Sequence, residues 1–566
     1  MNRTPKLFLL LAILCLTFTA NPVAKAQNLT ADSVQPVKNV ILMITDGTSL
    51  PSISLARWYQ RYQNPNKKHL RIDPYLCGTI LTYCSNSPIG DSAPTTSCYM
   101  TGMPSIAGFV STYPYSSPQD DIVPVDTTWS YRPLMTLMEA TRIYQGKKTG
   151  IVVTSHLTDA TPSDCLAHSY DRRKSDWIMP QIVHSGASVI MGGRTTLLKP
   201  EFVEYLKNNG YGVYSNDLNG MRADKNEKIV ALFGKESVPY DLDRDTTAVP
   251  SLAEMTATAI RKLDNEKGFM LMVEGSKVDW AAHANDPVGV ATDLLAFDKA
   301  VGVALDFAQQ DGNTVVIVTS DHGNSGLSIG RYDLKKYAHS SAQKLFGPLT
   351  QIQKTAVGMA EILRQTPYEK VPEVFQQYTG ITLNKEELEA LQQVKDYDLS
   401  PLPANQRPGQ ERWGSIYTKS LDAFVGSIYR KHSYIGFTTH GHTGEEVFLA
   451  ISAPKHTLRM VGFNTNIELH NYMRRLLGLP TTMQHLSQTH FAPHDEVFQG
   501  YKIKLSGNSP EEKVLTVTHK KKTLVIPAFS NQATLNGKTV TTPCASVFVD
   551  KTGKMYVDAS LAEQLQ

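Results

Sequence analysis

The chain has 566 residues, 41% hydrophobic and 19% charged, an ordinary globular composition that excludes a disordered protein and allows a large core. A formal net charge of +3 gives no ground for a polyanionic partner. The densest basic run, Lys520 to Lys522, reads as a solvated turn, so no specific nucleic-acid binding is expected.

At the N-terminus, Arg3 and Lys6 precede an apolar stretch over residues 7–20, and Ala24-Lys25-Ala26 is a small-x-small cleavage site. Residues 1–26 therefore read as a signal peptide, with Gln27 first in the mature chain and a periplasmic or secreted location. The run is short for a membrane span, which disfavours the alternative of a signal anchor, and no transmembrane anchor is expected. Cys15 lacks a convincing lipobox, and residues 561–566 form no hydrophobic tail for a GPI anchor. Export permits disulfides, but Cys77, Cys84, Cys98, Cys165 and Cys544 are few and odd in number, so buried free thiols are expected. No cysteine pair has zinc-ligand spacing, so any metal site must use His and carboxylates.

Five apolar, β-branched runs punctuate the chain, at residues 40–44, 150–154, 269–273, 314–319 and 447–451. Being apolar on both faces, they predict buried parallel strands. Helical stretches over residues 252–263 and 292–309 alternate with them, which predicts a doubly wound, mostly parallel α/β sheet with helices on both faces. Such sheets bind ligands at the carboxyl ends of their strands. Asp46, Glu274 and Asp321 each follow an apolar run and would converge there, although each alone could simply cap a following helix. Residues 331–430 are polar and mostly helix-like, with a loop at 401–408, and read as an insertion. The tail from about residue 491 changes to short alternating runs with a Leu535-Asn536-Gly537-Lys538 turn, and reads as a small β-rich appendage. The expected catalytic domain spans 27–490.

Asp91-Ser92-Ala93-Pro94 places a serine at a helix start. Serine is a common N-cap, but a helix N-terminus also favours an alkoxide and a bound phosphate. No Ser-His-Asp arrangement lies adjacent in sequence, and a metal can supply the activation this hydroxyl needs. If Ser276 caps a helix, Asp279 and His283 share one face at i and i+4, a spacing that suits two ligands of one zinc. The competing reading makes Asp279 part of a capping arrangement and His283 a surface residue. Asp321-His322 and His442 are further donors.

At these residues the chain resembles the alkaline phosphatases, whose superfamily also holds sulfatases, nucleotide phosphodiesterases and cofactor-independent phosphoglycerate mutases. Six blocks match in family order: Thr45-Asp46-Gly47, Asp91-Ser92-Ala93, Asp159 to Arg172, Glu274 to His283, Asp321-His322 and His442-Thr443-Gly444. The resemblance implies that Asp279, His283 and His442 hold one zinc, and that Asp46, Ser92, Asp321 and His322 hold a second. It implies a third site, usually magnesium, at Asp46, Thr161 and Glu274, with Asp159 beside it. Arg172 corresponds to the phosphate-clamping arginine, and Ser92 to the residue that becomes phosphoserine. His168 and His440 match no ligand position and read as structural or supporting. Residues 331–430 resemble the family's variable crown, and a homodimer remains an open expectation.

The implied activity is hydrolysis of phosphate monoesters, with two zincs gripping the attacking and leaving oxygens. A phosphodiesterase would lack the Arg172 clamp, and the sulfatase motif needs Arg where Thr96 stands. A catalytically dead phosphate-binding protein is disfavoured because every ligand position is filled. One departure stands out. The enterobacterial pattern pairs Asp159 with Lys at position 280, and animal enzymes place His at both positions; here Trp280 follows Asp279.

Overall fold

Residues 39–45 are buried along their whole length, so this strand can exist only inside a sheet covered on both sides. In the computed structural model, which describes residues 34–335, 337–402 and 420–566, that strand is central to a ten-stranded sheet. The expected signal peptide and most of the expected 401–408 loop lie outside the described residues.

The strands are β1 Asn39–Thr45, β2 Leu76–Leu81, β3 Lys148–His156, β4 Val189–Gly193, β5 Tyr211–Ser215, β6 Lys228–Phe233, β7 Phe269–Gly275, β8 Thr314–Thr319, β9 Val447–Ser452 and β10 Gly462–Thr465. Their spatial order is β10-β2-β9-β8-β1-β7-β3-β4-β6-β5. The pairings β8-β1-β7-β3-β4-β6-β5 and β10-β2 are parallel. β9 runs antiparallel to both β8 and β2. The expectation of a parallel strand at 447–451 is therefore corrected: an apolar run reports burial of both faces and carries no information about direction.

Side chains of β1 alternate between two cores. Val40, Leu42 and Ile44 face one cluster, and Ile41 and Met43 face the other. Helices cover both faces, among them Leu50–Gln63, Ser92–Thr101, Leu252–Leu263 and Pro287–Asp311. The last starts earlier than its apolar pattern suggests, because Asp286 caps it through the Val288 amide with Pro287 in its first turn. The insertion adds helices such as Lys385–Leu399, opened by a reciprocal Asn384–Glu387 capping box, and joins the core containing Ile41.

The tail forms a five-stranded antiparallel meander, β11 Lys502–Ser506, β12 Val514–His519, β13 Lys522–Pro527, β14 Gln532–Leu535 and β15 Lys538–Thr541. Asn536 and Gly537 have φ of +50° and +78°, as a two-residue hairpin turn requires. Its apolar side, with Leu515, Val517, Leu524 and Ile526, is continuous with the core containing Val40. The insertion thus covers one face of the sheet and the tail helps to cover the other. Cys84, Cys98, Cys165 and Cys544 are buried free thiols and Cys77 is a half-buried one. Among the described residues, no helix is long and apolar enough to cross a membrane.

Candidate active site

The strand ends place the acids. Ile44 of β1 is level with Glu274 of β7 and with Thr319 of β8, so Asp46, Glu274 and Asp321 emerge at one rim. Because β9 is reversed, a residue delivered to this rim must precede it, as His442 does. Residues His442–Thr443 pair antiparallel with Gly323–Asn324, which stacks the His442 ring on His322 at 3.8 Å. Gly47 must be glycine: its φ is +60°, and a Cβ there would lie 2.3 Å from Asp279 Oδ1.

Two groups of donors result. Asp46, Asp321 and His322 form a buried group, and Asp279, His283 and His442 a second, less buried one; the ligand atoms within each lie within 4.8 Å of one another. His322 Nε2 is 3.4 Å from Asp46 Oδ1, 3.5 Å from Asp321 Oδ2 and 3.1 Å from Ser92 Oγ. In the second group, His283 Nε2 and His442 Nε2 face each other at 3.2 Å, with Asp279 Oδ2 3.4 Å from His283. All three rings turn Nδ1 to a backbone carbonyl: His322 to Gly323, His283 to His440 and His442 to Gly90. Nδ1–H donation there fixes the tautomer and leaves the Nε2 lone pairs aimed inward. Two facing lone pairs repel unless a proton or metal cation lies between them.

Ser92 starts the buried helix Ser92–Thr101 directly after Asp91. Across from it, Arg172 Nη1 donates to Asp91 Oδ1 at 2.8 Å and Nη2 to Asp159 Oδ1 at 2.7 Å. Each Nη nitrogen keeps a second hydrogen. Asp159 thus engages Arg172, while also capping helix Ala160–Leu166. Ser92, Arg172, Asp279, Trp280, His283 and His442 share a cleft of about 520 Å³.

The profile of the family "Alkaline phosphatase" matches residues 37–479. The chain belongs to the alkaline phosphatase family. It is a phosphomonoester hydrolase. It is similar to alkaline phosphatase 3 of Bacillus subtilis, with 30% identity over 79% of this chain and 92% of that protein. Among solved structures, the cold-active alkaline phosphatase of a psychrophilic Shewanella shares 25% identity at a TM-score of 0.64, over 78% of this chain and 99% of that one. The Thermus thermophilus alkaline phosphatase has the same fold at a TM-score of 0.66 and 22% identity, over 82% of this chain and 96% of that one.

Electrostatics set this alkaline phosphatase site apart from a structural ion-pair cluster. Burial, then repulsion from Asp321, Asp279 and Glu274, pushes the Asp46 carboxyl well above its usual range. Burial and then Asp159 raise Glu274 in the same way. Burial would raise Asp279 too, but His283, His442 and His322 outweigh it and hold Asp279 below the ordinary value. His442 is pushed down to about 4, by burial first and by His322 second. Asp46 Oδ1, Asp321 Oδ2, Thr161 Oγ1 and Glu274 Oε2 are buried with no hydrogen-bond partner. A fold that gathers repelling carboxylates and leaves their oxygens bare is short of positive charge. These donors fit metal cations.

Three observations lie outside the sequence reading. Ser276 does not cap its helix with its side chain; Oγ accepts the Ser155 amide at 2.9 Å and ties the helix to β3. Asn324 Nδ2 donates to Asp279 Oδ1 at 2.6 Å, which fixes that carboxylate, and no local motif announces it. Lys277 is buried with its Nζ 3.7 Å from the Trp280 ring centroid, behind the indole that faces the cleft. His168 bonds Glu139 and the Ser111 carbonyl in the interior, and His440 brackets His283 through backbone and side chain, as structural and supporting roles require.

Proposed function

We propose that the chain hydrolyses phosphate monoesters by two in-line displacements at phosphorus through a phosphoserine at Ser92. Ser92 Oγ attacks phosphorus, the ester P–O bond breaks and the alcohol departs. Water then attacks the phosphoserine, its P–O bond to Ser92 breaks, and inorganic phosphate leaves with the serine restored. Asp279, His283 and His442 would hold one zinc, Asp46, Asp321 and His322 with Ser92 a second, and Asp46, Thr161 and Glu274 a magnesium with Asp159 nearby. When bound, these ions supply the Lewis-acid charge that favours a deprotonated serine and stabilises the oxygens of the displacement.

The observation that carries this reading is the crowding at His322 Nε2. In a Ser-His-Asp triad the carboxylate binds Nδ1 and the serine Nε2. Here Nδ1 faces the Gly323 carbonyl, while Ser92, Asp46 and Asp321 all converge on Nε2. That convergence favours four donors around one cation over a proton relay. Arg172, held by Asp91 and Asp159, can direct its remaining Nη hydrogens at two nonbridging oxygens of the phosphoryl group. A broad range of monoesters is what the resemblance to the alkaline phosphatases implies. The signal-peptide pattern of residues 1–26 supports export to the periplasm or beyond.

The test is acid-quenching of the enzyme with phosphate or substrate, followed by mapping of the modified peptide. Label on the peptide containing Ser92, absent in Ser92→Ala, is expected. Label elsewhere, or full turnover by Ser92→Ala, would remove the covalent mechanism.

A further inference from the structure

Arg172 lies in an irregular stretch between helices Ala160–Leu166 and Ser175–His184, and its own amide is held only by the Gly108 carbonyl, at 2.8 Å. The residues on either side of it are gripped by the C-terminal β-rich region, which lies beyond the family-matched residues 37–479. Before Arg172, burial and then the neighbouring Asp550 carboxylate push the Tyr170 hydroxyl well above its ordinary value, and Lys551 Nζ lies 5.7 Å from the Tyr170 ring centroid. After it, Trp177 Nε1 donates to Glu511 Oε1 at 2.5 Å, and the indole stacks on Phe529 at 5.5 Å with 20° between planes. The two gripped rings meet edge to face at 5.7 Å, and the Lys174 ammonium lies over the Trp177 ring at 3.9 Å.

Phe529 shows how firmly this contact is specified. Its φ is +58°, a region that bulky residues rarely adopt. Backbone bonds from Phe529 N to Ser546 O and from Ala528 N to Lys513 O, both 2.8 Å, hold it there. A region added only to cover apolar surface would not need a strained aromatic aimed at one indole.

We propose that the C-terminal region is a positioning element for Arg172: by clamping Tyr170 and Trp177 it fixes the loop between them, and with it the placement of the guanidinium over the phosphoryl group. This rests on the reading of Arg172 as the phosphate-holding residue. Misplacement of such a group loosens its hold on the phosphoryl oxygens, weakening phosphate binding and slowing turnover even though the reacting residues are unchanged.

Removing the region outright would expose the core that it shares with the sheet, so the test uses point variants. Glu511 and Asp550 are both exposed, and Glu511→Ala and Asp550→Ala, alone and together, break the clamp at the surface. In the full-length, metal-loaded enzyme, the inhibition constant for inorganic phosphate should rise about three- to tenfold, the scale of one or two hydrogen bonds. Amide hydrogen exchange across residues 170–177 should accelerate in the same variants. In an Arg172→Ala background the two substitutions should add no further rise, because the group they position is gone. A rise of equal size in that background would mean a general loosening and overturn the proposal. Unchanged phosphate inhibition in the tail variants, with Arg172→Ala raising it, would also overturn the proposal while leaving Arg172 its role. If Arg172→Ala itself leaves phosphate inhibition unchanged, the Arg172 reading falls and the positioning proposal with it.

Discussion

The two donor groups differ in how the fold makes them. Asp46, Asp321 and His322 follow directly on β1 and β8, and their side chains are 6%, 0% and 0% exposed. His283 and His442, at 16% and 19%, come from a short helix and from the segment returning out of the insertion, and they line the cleft. The inner group is set by the register of the central sheet. The outer group is set by side-chain hydrogen bonds to segments distant in sequence, the His440 and Gly90 carbonyls and the Asn324 amide. Strand ends therefore provide a rigid half of the site and a helix–loop pair an accessible half, which predicts that the two halves exchange cations with solvent at different rates.

The most severe way to break this contrast is complete chelation, which should abolish turnover, with zinc plus magnesium restoring it. During partial chelation, the metal at Asp279, His283 and His442 should leave first. Time-resolved metal analysis against residual activity checks this; full activity without any transition metal would refute the metal assignment, and equal loss rates would refute the contrast.

Arg172→Ala should cost monoester turnover roughly 2–5 kcal/mol of transition-state stabilisation, the scale of a charge-assisted pair of hydrogen bonds. Diester turnover should lose less, because a diester carries less nonbridging charge. Equal losses in kcat/KM for a matched pair of substrates would show that the arginine does not discriminate between the ester classes.

A gentler probe is the stability of the inner group without metal. The raised carboxyls of Asp46 and Glu274 contribute stability that is fully present below the ordinary carboxylate value and is lost as pH rises through their raised values. The metal-free protein should therefore weaken as pH climbs from about 4 toward neutrality, whereas added zinc should reverse the trend by replacing protons. Asp46→Asn should raise the neutral-pH stability of the metal-free protein by about 1–2 kcal/mol and lower that of the metal-loaded one. Melting curves across pH, with and without zinc, would expose a wrong sign at once.

The smallest expected effect concerns Trp280. Where a Lys-bearing relative puts an ammonium, this chain puts an indole with one neutral N–H. The nearest cation, Lys277, lies on the buried side of that ring and is pushed down to about 7 by burial. Trp280→Lys should tighten phosphate inhibition at fixed zinc and magnesium and slow product release. Unchanged inhibition in a folded, metal-loaded variant would leave Trp280 only its role of filling space.

Much of the inner group was legible in the sequence because its logic is one-dimensional: a doubly apolar run fixes a buried strand, and the acid after it must reach the rim. Asp46, Glu274 and Asp321 follow from that rule alone. The direction of β9 does not, since reversing a strand leaves its composition unchanged. Nor do Asn324 on Asp279 or Ser276 on Ser155, contacts across 45 and 121 residues that no local pattern encodes. The β-hairpin at Asn536-Gly537 was readable from turn chemistry, but the docking of its sheet beside Arg172 depends on side chains spread from Tyr170 to Lys551.

The reversal of β9 has a consequence for how this architecture varies. Chain leaving β8 at Asp321-His322 and chain entering β9 after His442 pass through the same rim, zipped together by the two-residue ladder between Gly323–Asn324 and His442–Thr443. Everything between those two staples is a closed excursion, departing and returning at a single doorway. Its length and sequence can change without altering where the two strands leave and re-enter the sheet, provided that its helices still fill the core face they share with Ile41 and Met43. A graft cut just outside the ladder is thus the place where such an enzyme could be given a different roof while keeping the donor groups at the rim.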